Sequence, residues 1–256
     1  MIIAIDIGNT NIKVGLFEEN RLADSWRMAT DVSRTADEYG ITLINLLASA
    51  GITPDKIDGG IISSVIPQLN YTVEHMLSYY FGIKPLTVGV GIKSGINVRY
   101  ENPRELGSDR LVNCVAASKK YGAPFILIDF GTATTYNVVN EANEFIGGCI
   151  TLGVKATEES LGNSTAKLPR VELVKSRSVI GKSTVRNIQA GLYFGVVGQV
   201  NSIISRIREE MGIPDLKVIA TGGLSELFMT DCDIAIVDRS LSLEGLNIIY
   251  NINANS

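Results

Sequence analysis

The chain has 256 residues, 45% of them hydrophobic, a formal net charge of −4 and a pI near 5.2. That length is comfortable for two domains; the want of a basic face argues against a nucleic-acid surface, and no apolar run is long enough to cross a bilayer. A single histidine, His75, and three cysteines without C-x-x-C spacing (Cys114, Cys149, Cys232) disfavour a Ser-His-Asp triad, a zinc site and a disulfide framework. Acid–base chemistry therefore falls to carboxylates. The apolar excess is assigned to buried strands and an oligomer interface. The opening run meets Asp6 too soon to be a secretory signal, so the cytoplasm is the expected location.

Three apolar segments open the chain, Ile2 to Ile7, Ile12 to Phe17 and Leu22 to Met28, and predict strands. Trp26, on the third, reads as core or interface packing. A helix follows from about Thr35 to Ala50, closed by Gly51 and Pro54. Next come a buried strand at Gly60 to Val65, a helix from Pro67 to about Phe81 and a short strand at Pro85 to Val88. Strands first, then helix alternating with strand, predict a mixed sheet covered by helices. Gly89 to Tyr100 reads as an irregular loop of the kind that lines sites. Pro103 and Gly107-Ser108-Asp109-Arg110 then introduce a helix that Gly122 and Pro124 end.

The second half echoes this order, with strands at Phe125 to Phe130, Thr135 to Val139 and Phe145 to Gly148 and a helix near Thr157. From 184 to 211, Val185, Ile188, Leu192, Val196, Val200, Ile203, Ile207 and Met211 recur three or four apart, which is one face of a long helix. Gly191, Gly195 and Gly198 form a second stripe that would admit another helix, from the same subunit or from a second copy; spacing does not choose. Leu216 to Ala220 predicts a strand, Thr221-Gly222-Gly223 a turn, and Leu224 to Met229 the start of a helix. The expected domains are 1–121 and 122–256, meeting near Lys119 to Pro124.

The chemistry lies in a repeat. Asp6-Ile7-Gly8 and Asp129-Phe130-Gly131 each end a hydrophobic strand in a carboxylate and turn into a second strand. Two such hairpins suggest two halves facing each other across a cleft. A carboxylate beside turn N–H groups and hydroxyls suits Mg-bound phosphates; one copy alone could be an ordinary turn. Gly181-Lys182-Ser183-Thr184 is not a P-loop, because Ser176 stands where that motif needs Gly, and Ser183 or Thr184 is read as a helix cap.

Asp6 to Lys13, Asn102 to Arg110, Ile128 to Thr135, Thr165-Ala166-Lys167-Leu168-Pro169 and Ala220 to Gly223 together resemble, in that order, the type III pantothenate kinases of the actin, sugar kinase and Hsp70 superfamily. The resemblance implies an α/β fold of two tandem ribonuclease H-like (actin-like ATPase) domains, with mixed sheets flanked by helices and a cleft between them. It implies transfer of the ATP γ-phosphoryl group to pantothenate by a homodimer, with Mg²⁺ and a monovalent cation, K⁺ or NH₄⁺, and with no role for nucleic acid or membrane. By position, Asp6, Ile7, Gly8, Asn9, Thr10, Asn11, Ile12 and Lys13 would cradle the phosphates, Asp6 holding Mg²⁺ through water. Thr132, Gly222 and Gly223 would complete the nucleotide site, and Asp129 would bind the monovalent cation. Tyr100, Gly107, Ser108, Asp109, Arg110 and Thr184 would hold pantothenate, Thr184 reaching across from the neighbouring subunit or acting within its own, with Asp109 as catalytic base. An actin-like regulator without phosphotransfer, or a kinase of another small hydroxy acid, are the alternatives.

Arg110 suits the pantothenate carboxylate through paired, charge-assisted hydrogen bonds. Asp109, in the first turn of a helix, could equally be a cap, a setting that lowers a carboxyl pKa and weakens the base. A loose phosphoryl-transfer transition state asks for orientation more than for a strong base.

Overall fold

The computed structural model describes residues 1–163 and 168–254. The chain forms two compact units, Met1–Tyr121 joined by the chain from Ser240, and Gly122–Arg239. The first contains β1 (Ile2–Ile7), β2 (Asn11–Glu18), β3 (Arg21–Ala29), α1 (Ala36–Ser49), β4 (Gly59–Ser64), α2 (Pro67–Phe81), β5 (Leu86–Thr87), β6 (Asn97–Val98) and α3 (Ser108–Tyr121). The second contains β7 (Phe125–Phe130), β8 (Ala133–Val139), β9 (Glu144–Leu152), α4 (Val154–Asn163), α5 (Thr184–Met211), β10 (Lys217–Gly222), α6 (Ser225–Phe228) and β11 (Ile236–Val237). The final helix, α7 (Leu241–Ala254), belongs to the first unit.

In the first unit the strands run in the order β3-β2-β1-β4-β5. The central strand β1 has antiparallel β2 on one side and parallel β4 on the other, and is buried on both faces. Side chains alternate between the faces of a strand. Ile3, Ile5 and Ile7 join a core with Leu43 and Leu47 of α1 and Leu69, Val73, Met76 and Leu77 of α2. On the opposite face α7 lies close, because glycines leave room for it. A methyl group at Gly15 would come within 3.0 Å of Leu243, and one at Gly59 would collide with the Tyr250 hydroxyl.

The second unit repeats the arrangement, with β11-β10-β7-β8-β9 as its strand order. Its central strand β7 again has an antiparallel neighbour, β8, and a parallel one, β10. Ile126, Ile128 and Phe130 pack with Tyr193, Val200 and Ile204 of α5. The expected hairpin repeat is therefore a repeat of sheet topology, two mixed sheets flanked by helices.

Local signals set most boundaries. Thr35 caps α1 in a reciprocal box with Glu38, Pro67 opens α2, and Gly82 ends it in the left-handed conformation. Ser183 caps α5, which spans the expected 184–211, and Gly212 closes it. Differences are instructive. Strand β9 continues from Phe145 past Gly148 to Leu152, because Gly148 takes a positive φ of 149° and passes against the Tyr136 carbonyl, where a side chain would collide. The helix expected near Thr157 begins at Val154. The second domain was expected to run to residue 256, but the chain from Ser240 packs with the first unit, where Gly245 sits against the backbone of Val112. Of the Thr165-Ala166-Lys167-Leu168-Pro169 motif, Thr165, Ala166 and Lys167 lie outside the described residues. Among the described residues no helix is long and apolar enough to cross a membrane.

Candidate active site

Strand register gathers the first group of residues. Asp6, the penultimate residue of β1, faces Lys13 on β2 and Ser63 on β4, and is only 6% exposed. Lys13 Nζ donates to Asp6 Oδ2 at 3.3 Å and to Ser242 Oγ, in the first turn of α7, at 3.0 Å. Between the strands the chain turns tightly, with Gly8 N donating to Asn11 O at 3.0 Å and Thr30 Oγ1 to Gly8 O at 2.6 Å. Asn9, Thr10 and Asn11 are exposed at the tip, whereas Ile7 and Ile12 are buried core residues that can offer a ligand only backbone.

The N-terminus of α3 is tied to the same end of the sheet. Ser63 Oγ donates to Ser108 Oγ at 3.0 Å, and Ser108 Oγ donates to the Ser64 carbonyl at 3.1 Å. Ser108 thus spends its hydroxyl on holding α3 to β4. Gly107 is small for a reason: a methyl group there would lie 2.5 Å from Asp109 Oδ1. Asp109 is half-buried. Its pKa is raised, first by burial and next by the Asp6 carboxylate; the Arg110 N–H and the Arg110 charge oppose the shift without cancelling it. The lowering expected of a helix first turn is overturned, because desolvation and a like charge outweigh the capping geometry. Arg110 is 6% exposed, with its guanidinium carbon 5.9 Å from the centre of the Tyr100 ring. Gly107 and Ser108 also line a cavity of about 660 Å³ bounded by Val65, Val88 and Leu106.

A second group gathers in the other unit. Asp129, penultimate in β7 as Asp6 is in β1, faces Thr135 on β8 and Thr221 on β10. Gly131 N donates to Ala133 O at 3.1 Å, and Thr132 is exposed in this turn. Gly222 has a φ of 92°, and a methyl group on it would fall 2.5 Å from Asp129 Oδ1 and 2.6 Å from Phe130 O. A carboxylate and a carbonyl oxygen thus converge on one cradle, a donor set that fits a hard cation. Gly223 is exposed beside it, and Thr184 is exposed at the start of α5.

Two residues of the first group were not foreseen. Ser63 carries a readable signal, a polar residue near the end of a buried strand. Ser242 carries none, since the helix bearing it was not anticipated and it is 229 positions from Lys13. No disulfide joins Cys114, Cys149 and Cys232.

Solved structures share the fold along almost the whole chain. A protein from Sinorhizobium meliloti described as a 2-dehydro-3-deoxygalactonokinase matches with a TM-score of 0.64 at 13% identity, over 98% of this chain and 99% of its own. One from Campylobacter jejuni described as a Baf family transcriptional activator matches with 0.62 at 17% identity, over 99% and 100%. A Listeria monocytogenes protein described as an N-acetylmannosamine kinase matches with 0.52 at 14% identity, over 99% of each chain. The fold is actin-like, and with the family match over residues 2–206 the chain is an ATP-dependent kinase. Residues 2–206 match the family described as type III pantothenate kinase. The chain belongs to that family.

Proposed function

We propose that the protein phosphorylates pantothenate on its primary hydroxyl with ATP, giving 4'-phosphopantothenate, the first step towards coenzyme A. The observation that carries this reading is the adjacency of Asp109 and Arg110 at the start of α3, with Asp109 within electrostatic reach of Asp6 on the phosphate turn. Arg110, buried under Tyr100, takes the acceptor's carboxylate. That grip directs the far hydroxyl towards Asp109. The hydroxyl oxygen attacks the γ-phosphorus, the bond from γ-phosphorus to the β,γ-bridging oxygen breaks, ADP leaves, and Asp109 accepts the hydroxyl proton. A raised pKa brings Asp109 closer to the working pH, which suits a base.

Lys13 and the turn Gly8–Asn11 are assigned to the phosphates, and Thr132, Gly222 and Gly223 to the nucleotide. Asp6 would retain hydrated Mg²⁺, and the Asp129–Phe130 cradle beside Gly222 would take K⁺ or NH₄⁺. When bound, these cations neutralise charge on the triphosphate.

The working unit is a homodimer in the cytoplasm. Its support is the glycine stripe of α5. Gly191, Gly195 and Gly198 are exposed, and a methyl group on any of them would meet nothing within 4 Å, so no part of the described chain packs there. Strand β9 runs alongside, with Ile150 58% and Leu152 60% exposed and Thr151 Oγ1 donating to Gln199 at 3.4 Å. Thr184, exposed at the start of α5, is assigned to the acceptor, from the neighbouring subunit or within its own.

The test is ADP release from ATP, Mg²⁺ and K⁺ with and without pantothenate. Pantothenate-dependent release is expected. Stimulation only by a different hydroxy acid would replace the substrate, and stimulation by none would leave a nucleotide-dependent regulator.

A further inference from the structure

Lys13 and Ser242 lie on the same side of the first sheet for a simple reason. Lys13 and Gly15 are two apart on β2 and share a face, and α7 packs on that face with Leu243 against Gly15. Ser242, one residue earlier, therefore meets Lys13. It is 2% exposed. A buried hydroxyl needs a partner, and Lys13 Nζ supplies it at 3.0 Å.

The two bonds to the ammonium are unequal in an informative way. A lysine–carboxylate hydrogen bond ordinarily spans about 2.7–2.9 Å. Here the charged pair is stretched to 3.3 Å while the neutral hydroxyl is nearer. Ser242 cannot follow Lys13, because its helix end is held on other sides. Ser240 Oγ donates to Glu244 at 2.8 Å, Lys120 Nζ pairs with Glu244 at 2.7 Å, and Gly245 lies against the Val112 backbone.

We infer that Ser242 is a positioning residue for the nucleotide: its hydroxyl holds the Lys13 ammonium off Asp6 and presents it to the phosphates. An ammonium has three donors. One goes to Asp6, one to Ser242, and the third serves a phosphate oxygen. Without the hydroxyl, Lys13 closes on Asp6. The pair then neutralises itself, removing positive charge from the triphosphate and occupying the carboxylate that hydrated Mg²⁺ needs. This assignment rests on the ATP-dependent kinase reading and is independent of which acceptor is phosphorylated.

The experiment measures binding of Mg²⁺ with the non-hydrolysable analogue AMP-PNP by calorimetry, without acceptor. Ser242→Ala is expected to weaken binding about tenfold, the loss typical of a hydrogen bond to a charged group, and Ser242→Thr to restore it. In a Lys13→Met background, Ser242→Ala should add no further loss, because the hydroxyl acts through the ammonium. Ser242→Cys, which keeps the side-chain shape with a slightly larger, weakly hydrogen-bonding atom, stands in if the alanine variant does not fold. Unchanged binding in Ser242→Ala would overturn the inference. So would an equal loss in the Lys13→Met background, which would make Ser242 a packing residue. Lack of turnover with pantothenate in the parent would strike the acceptor assignment alone, since the binding measurement contains none.

Discussion

Asp109 concentrates the chemistry in one side chain, and its surroundings set both its reactivity and its cost. Gly107 leaves room for its carboxylate, burial withholds water from it, and the Asp6 charge opposes its ionisation. Replacing it by Asp109→Asn should lower turnover on the order of a hundredfold or more while the fold persists. The stability effect has the opposite sign. A carboxyl whose pKa is raised on folding favours the folded state below its ordinary range, and that contribution is lost as pH rises through the folded value. Above that value the ionised Asp109 weakens the fold. Thermal melts of Asp109→Asn should therefore lie above those of the parent at pH 8, with the gap narrowing as the pH falls into the ordinary carboxylate range. A lower melting temperature at pH 8 would assign Asp109 a capping role instead. The sequence made the identity of this residue legible through its Gly-Ser-Asp-Arg setting, but not its electrostatics. Burial and the proximity of Asp6 arise from chain segments more than a hundred positions apart.

At the scale of elements, the two central strands and their turns are governed by short-range chemistry, which is why they could be read directly. Hydrophobic runs ending in Asp-x-Gly specify strand and turn together, and capped helices such as α1 and α5 announce their own ends. Strand β9 obeys a different rule. Its continuation through Gly147-Gly148 depends on the Tyr136 carbonyl of the neighbouring strand, a contact that no local pattern encodes. Gly148→Ala should shear β9 from β8, since both the collision and the positive φ penalise a side chain. A loss of about 1–3 kcal/mol is expected, as for other overpacked sites, read as a lower urea midpoint with unchanged slope. A variant as stable as the parent would show that the sheet yields without strain at this point.

For the molecule as a whole, the open question of the sequence was whether the glycine stripe of α5 packs inside one chain or between two. Within the described chain nothing covers it. Gly195→Leu should fill the stripe and convert a particle of two 27.6 kDa chains into a single chain, measured by light scattering after size-exclusion chromatography. A parent that already runs as one chain would end the dimer proposal. By itself the sequence determined the central strands β1 and β7 with their hairpin partners, the capped helices, the two carboxylate turns and the carboxylate–arginine pair, because each is written in neighbouring residues with a fixed period or a fixed turn chemistry. Only the tertiary structure decided that the last helix joins the first unit, that Ser242 meets Lys13, and that Asp109 is raised rather than lowered in pKa. Those outcomes come from packing and desolvation between segments far apart in the chain, where hydrophobic burial brings groups together without any local signature of the neighbours they will meet.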